Sequence, residues 1–170
     1  MNRKVFSFRR VAQKLGRTAM IAITAILIAG AVNAQSIEPL PNGCYIKTSS
    51  SGYCSVVDAN GKLITNENGR IELLSNGCYR KTSNSGYCSI VDASGRLITN
   101  ENGRIELLSN GCYRKTSNSG YCSIVDASGR LITNENGQIE LLSNGCYRKT
   151  SNSGYVSIVD ANGRLVTNNY

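Results

Sequence analysis

Residues 77–110 read GCYRKTSNSGYCSIVDASGRLITNENGRIELLSN, and the next 34 residues repeat them with one exchange, Gln138 standing where Arg104 stood. Residues 43–76 are a third copy with five differences, and residues 145–170 a fourth, shortened one. A fixed period of this kind makes the repeat the structural unit. The frame is then a leader (1–34), an N-terminal edge strand (35–42), repeat 1 (43–76), repeat 2 (77–110), repeat 3 (111–144) and a truncated repeat 4 (145–170).

Glycines punctuate the unit at Gly77, Gly86, Gly95 and Gly103, spaced 9, 9, 8 and 8 to the next opening glycine, Gly111. Between them lie short segments rich in β-branched and aromatic residues, none with the 3.6 period of an amphipathic helix. Such spacing, with turn residues between, indicates an all-β protein. Asp92-Ala93-Ser94-Gly95 and Asn100-Glu101-Asn102-Gly103 suit a type I turn closed by a left-handed glycine. Asn110-Gly111 is the strongest short hairpin signal. Every connection then reads as a tight hairpin, with four antiparallel strands per unit and roughly sixteen in all.

The expected architecture is an open curved sheet or solenoid-like array, and the alternative a small four-bladed β-propeller or closed barrel. Ser36-Ile37-Glu38-Pro39-Leu40-Pro41-Asn42 aligns with the fourth segment of the later units, so the strand complement is split across the chain ends, as ring closure would need. Pro39 and Pro41 favour the open form, because proline cannot donate to a ladder and is confined largely to edges. A unit of 34 residues is also short for a propeller blade, for which about 40 to 50 is usual.

The stretch Val91-Asp92-Ala93-Ser94-Gly95-Arg96-Leu97 resembles the Asp-x-x-Gly-Arg-Leu core of YD-type (RHS) repeats. Those repeats form long spiralling antiparallel sheets. Valine stands where the family has the tyrosine of its Tyr-Asp pair, and the unit length differs. What the resemblance implies is shared hairpin chemistry.

The first 34 residues have the pattern of a secretory signal peptide. Arg3, Lys4, Arg9, Arg10, Lys14 and Arg17 precede a 14-residue apolar run, AMIAITAILIAGAV, and Val32-Asn33-Ala34 suits cleavage. The run is shorter than the roughly 20 residues that span a bilayer. Six of the 19 basic residues and none of the 11 acidic ones precede Gln35, so the remainder carries 13 against 11, a net charge of +2. The formal +8 of the whole chain therefore gives no ground for nucleic-acid binding, which calls for a basic patch on the folded domain. The expected location is secreted, periplasmic or at the cell surface, with no membrane span after cleavage.

All seven cysteines follow the leader, as Cys44/Cys54, Cys78/Cys88, Cys112/Cys122 and a solitary Cys146 whose mate is replaced by Val156. An exported chain meets an oxidising compartment where disulfides persist. The spacing is too wide for a zinc knuckle and the chain lacks histidine, so neither metal nor cofactor is expected. The preferred pairing is Cys44–Cys54, Cys78–Cys88 and Cys112–Cys122, with Cys146 a free or intermolecular thiol. The competing set is Cys54–Cys78, Cys88–Cys112 and Cys122–Cys146.

Catalysis needs unlike groups converging on one point, and no nucleophile–base pair is visible, so an enzyme is not expected. The Asp58 and Asn66 segments lack the ligand pattern of a calcium loop. Tyr79-Arg80-Lys81, Tyr113-Arg114-Lys115 and Tyr147-Arg148-Lys149 recur once per unit and form a candidate binding stripe for an acidic polysaccharide or a partner. The plainer reading is a solubilising surface, its charge offset across strands by Glu72, Glu106 and Glu140. The threonine rows at Thr65/Thr99/Thr133/Thr167 and Thr48/Thr82/Thr116/Thr150 read first as good strand residues. Together these features describe an exported, disulfide-stabilised structural or adhesive repeat protein of the cell surface or extracellular matrix. The alternative is a secreted multivalent binding module for carbohydrate. The expected partners are the chain itself, through self-association or a disulfide-linked dimer, and surface polysaccharide.

Overall fold

A computed structural model describes residues 34–169; the expected signal peptide (1–34), apart from Ala34, lies outside the described residues. Thirteen strands follow one another: β1 (Ala34–Pro39), β2 (Tyr45–Ser49), β3 (Tyr53–Val57), β4 (Leu63–Leu73), β5 (Tyr79–Ser83), β6 (Tyr87–Val91), β7 (Leu97–Leu107), β8 (Tyr113–Ser117), β9 (Tyr121–Val125), β10 (Leu131–Leu141), β11 (Tyr147–Ser151), β12 (Val156–Val159) and β13 (Leu165–Asn169). Each pairs antiparallel with the next, in the order of the sequence. Among the described residues β1 and β13 are the two free edges, so the array is open and no propeller or barrel closes. Pro39 accordingly sits in an edge strand.

Three of the four expected turns per unit form. Ser83–Gly86, Asp92–Gly95 and Leu74–Gly77 each close with the glycine N–H donating to the carbonyl three residues back, at 2.9–3.0 Å. Gly86, Gly95 and Gly77 take φ of 85°, 88° and 81°, where a side chain would be strained. Asp92 Oδ1 accepts from the Ser94 and Arg96 N–H groups and from Ser94 Oγ. Those bonds, that of the Ser94 hydroxyl foremost, lower the Asp92 carboxyl to about 2.

The fourth turn does not form, which is why there are thirteen strands and not sixteen. Asn100-Glu101-Asn102-Gly103 lies inside the 11-residue strand β7. Residues 97–102 pair with β6 and residues 103–107 pair with β8. Gly103 is therefore where the strand leaves one sheet and enters the next. Its φ is +149°, and a Cβ there would lie 2.3 Å from the Thr116 carbonyl oxygen. Asn-Gly here marks a crossing of two sheets, not a reversal of the chain.

The long strands divide the array into four-stranded sheets, each taking its first strand from the end of the preceding unit. Successive sheets pack face to face. Cys54 and Val56 of the first sheet pack with Ile71, Tyr79 and Val91 of the second. Cys88 and Ile90 pack with Ile105, Tyr113 and Val125, and Cys122 and Ile124 with Ile139, Tyr147 and Val159. Each layer is thus one shared core, built from the Cys face of one sheet and the Tyr face of the next. A repeat cannot bury both faces alone, and stacking supplies what it lacks.

Candidate functional site

Because each layer repeats, the site to be sought is a repeated one, at the seams between sheets. Tyr79, Tyr113 and Tyr147 are fully buried there. Their hydroxyls accept hydrogen bonds at 2.8 Å from the side-chain amides of Asn42, Asn76 and Asn110, each 37 residues earlier. Burial, and next the neighbouring thiol of Cys44, Cys78 or Cys112, pushes the three phenols up to about 12. These tyrosines are core pins, so the candidate binding stripe loses its aromatic members.

Its basic members are also engaged. Arg80 donates through Nε and Nη2 to Glu72 at 2.9 and 2.7 Å, and through Nη1 to the Ile105 carbonyl of the next sheet at 3.1 Å. Arg114 does the same with Glu106 and the Ile139 carbonyl. Arg148 pairs with Glu140. Lys81, Lys115 and Lys149 reach back to Glu67, Glu101 and Glu135 of the preceding sheet at 3.5, 3.5 and 3.3 Å. The basic side chains of the stripe thus each hold an ion pair within or between the sheets. Thr65, Thr99 and Thr133 are buried, Thr48, Thr82, Thr116 and Thr150 are half-buried, and Thr167 alone of the eight is exposed, so neither row is an exposed template.

The cysteine pairing is corrected as well. No two of the seven cysteines are bridged in this structure. The turn that joins β5 to β6 centres on Ser85, so Cys88 faces Thr82. Tyr79 faces Val91, which leaves Cys78 a step further out, beside Asp92. The two cysteines are four residues out of register, about 13 Å along the strands, whereas a disulfide holds Cα atoms about 4.4–6.8 Å apart. A turn centred on Ser83 would have placed them opposite each other. The competing set fails too. Cys54 lies in the layer between the first and second sheets and Cys78 in the next layer, with the second sheet between them. Cys122 is buried, which raises its thiol pKa and suppresses the reactive thiolate. Cys146 is half-buried on the last sheet.

What reaches solvent in every unit is different. Tyr53, Tyr87, Tyr121 and Tyr155 are 40%, 41%, 42% and 40% exposed, and Leu63, Leu97, Leu131 and Leu165 are 52%, 55%, 53% and 62% exposed. Tyr87 and Leu97 lie on one face but at opposite ends of the sheet, opposite Asn102 and Val91. The stack therefore carries a tyrosine row along one margin and a leucine row along the other. Sequence reasoning passed over both; their signal was the same 34-residue recurrence that drew attention to Tyr79. Beside the tyrosine row runs an asparagine ladder, Asn84 to Asn68, Asn118 to Asn102 and Asn152 to Asn136, at 3.2–3.3 Å.

Open clefts lie beside the packed cores, where successive sheets meet solvent. One of ≈ 660 Å³ lies between the second and third sheets, lined by Arg70, Arg80, Thr82, Asn84 and Arg104 among others. One of ≈ 480 Å³ follows, where Gln138 replaces the outer arginine. Arg70 and Arg104, at 71% and 72% side-chain exposure, are the cations at the mouths, each beside a glutamate already held by a second arginine. The arrangement offers charge, amides and hydroxyls to an extended polar ligand, in a register set by the stack.

Fold and surface together define an open, all-β tandem-repeat protein. No protein family matches the chain, and no curated protein does. Among solved structures it is similar to the C-terminal WD40 domain of Sif2 (11% identity, TM-score 0.42, covering 81% of this chain and 46% of that one). It is also similar to the computationally designed Ika8 protein (12%, 0.41, 80% and 48%) and to BamB from Moraxella catarrhalis (15%, 0.38, 75% and 45%). The chain spans about half the length of these proteins. At such TM-scores the matches carry no weight for function.

Proposed function

We infer that this chain is an exported structural or adhesive repeat protein of the cell surface or extracellular matrix, held together by stacked sheets rather than by disulfides. The observation that carries the reading is the pair of apolar rows: one tyrosine and one leucine per unit stand in solvent at a fixed register. Aromatic side chains with a polar tip suit contact surfaces that must stay wet when vacant. The test is a Tyr87→Ser/Tyr121→Ser double variant. Surface substitutions of this kind leave stability within about 0.5 kcal/mol each. Retention on the matrix or envelope of the producing cells should fall sharply while the fold persists. Undiminished retention with an intact fold would remove the adhesive reading.

A second reading is a multivalent binder of acidic carbohydrate, favoured by the arginine-mouthed clefts. Titration with an acidic oligosaccharide would then give more than one site per chain, the one that carries Gln138 being the weaker.

A further inference from the structure

The fourth sheet carries an interface with one half missing. Its Tyr face, with Tyr147, Ser157 and Val159, is buried against the third sheet. Its other face holds Cys146, Arg148, Ile158 and Val166, and among the described residues no sheet covers it. In the three complete layers Val56, Ile90 and Ile124 are fully buried; Ile158, their counterpart, is half-buried. Arg80 and Arg114 are 28% and 30% exposed, and Arg148 is 48%. Val166 is 58% exposed, where Ile64, Ile98 and Ile132 are half-buried. Two donors also lack their usual acceptors among the described residues. Asn144 keeps its bond to the Cys146 N–H, but its amide has no tyrosine hydroxyl to meet. Arg148 keeps Glu140, but its guanidinium has no isoleucine carbonyl.

The missing half exists elsewhere in the chain. The first sheet presents Ile37, Tyr45, Lys47 and Val57 in the register in which the second presents Ile71, Tyr79, Lys81 and Val91. Ile37 and Ser55 are half-buried where Ile71, Ser89 and their later counterparts are buried, whereas Tyr45 and Val57 of the same face stay buried, at 8% and 5% exposure. We propose that the outer face of the fourth sheet is a docking site for the first sheet of a second copy of this chain, continuing the stack head to tail. Tyr45 of the second copy accepts from Asn144, the Ile37 carbonyl accepts from Arg148, and Ile158 and Val166 enter the layer as Ile124 and Ile132 do within one chain. The proposal goes beyond the adhesive reading and stands on interface continuity alone. A heterologous contact of this kind does not close on itself, so it builds filaments rather than dimers.

The same register says what Cys146 does. Cys112 lies beside the Tyr147 hydroxyl in the third layer. Cys146 would lie beside the Tyr45 hydroxyl of the next copy, buried and reduced. Assembly is then non-covalent. The contact is also weaker than an internal layer, because position 169 is asparagine where Glu67, Glu101 and Glu135 pair with lysine.

The experiment is sedimentation velocity over a wide concentration range, on the chain as its host makes it, with and without reductant. The expected result is a mass distribution that lengthens with concentration and ignores reductant. Ile158→Glu should weaken association about a hundredfold by placing an unpaired charge in the layer. Ile37→Glu should do the same from the other side. Circular dichroism and thermal melts verify that both variants fold. Mixed together, each variant still offers one intact face, so the mixture should form a heterodimer and nothing longer. Three outcomes overturn the proposal: a wild-type chain that stays monomeric, assembly that survives Ile158→Glu, or folded variants that fail to complement. Assembly abolished by reductant would overturn it too, by assigning the association to a disulfide.

Discussion

The Asn76 side-chain amide donates to the Tyr113 hydroxyl at 2.8 Å across 37 residues of sequence. The bond ties the turn at the end of one unit to the first strand after the next unit's crossing. It recurs at Asn42–Tyr79 and Asn110–Tyr147 with the same length. One polar pin per layer fixes how far each sheet slides on the next, which apolar packing alone leaves soft.

Tyr113→Phe keeps the ring and removes the acceptor. The Asn76 amide loses its partner at a half-buried site, and denaturant unfolding should report a loss of about 1 kcal/mol. Tyr113→Ala empties a fully buried position and should cost about 3–5 kcal/mol.

The three pinned tyrosines make the stack sensitive to base. Their phenols are raised from 10.0 to about 12 in the folded chain. The unfolded chain loses these protons first, so it binds fewer protons than the native one between those values. Stability is therefore fully present below pH 10 and falls as pH rises toward about 12. Thermal melts across this window should show a falling midpoint. The triple Phe variant, less stable at neutral pH, should show a shallower fall.

Gly103 and Gly111 separate two reasons for glycine. At Gly111 a Cβ meets nothing within 4 Å, and only its φ of +82° opposes a side chain. Gly111→Ala should cost about 1–2 kcal/mol. At Gly103 the Cβ would meet the Thr116 carbonyl at 2.3 Å, where β7 changes partner. Gly103→Ala should cost about 3 kcal/mol or more, because β8 must move as well.

Peptide mapping after alkylation under denaturing, non-reducing conditions should recover all seven cysteines as modified thiols. Under native conditions Cys88 and Cys122, each 2% exposed, should resist the reagent, and half-buried Cys146 should react before them. Recovery of Cys78–Cys88 as a bridge would contradict the hairpin register.

Much of this was legible in the sequence because the relevant physics is local. Asp92 to Gly95 and Ser109 to Gly111 announce turns through side chains that bond to their own backbone. The motif shared with YD-type repeats falls on one of them. The open order also followed from Pro39 at an edge. What was not legible depended on stacking. Tyr79 and Tyr87 belong to the same unit and point to the same face. One lies under the neighbouring sheet and the other at the hairpin tip, and their side chains are identical. Asn102-Gly103 has the composition of a turn; only the arrival of β8 against its second half makes it a crossing. The cysteine pairing failed for a smaller reason, a turn centred on Ser85 instead of Ser83.

The central claim is that equivalent sheets stack in an open series through one repeated interface. In-frame removal of residues 77–110 tests it most directly, by urea unfolding of the shortened chain. The deletion joins Asn76 to Gly111, which restores the native Asn-Gly-Cys junction, and Asn42 can then meet the Tyr113 hydroxyl. A chain that still unfolds cooperatively, with a smaller m-value and a lower midpoint, is the predicted result. A chain that no longer folds would show that the units depend on a closed or unique arrangement, and would contradict the account.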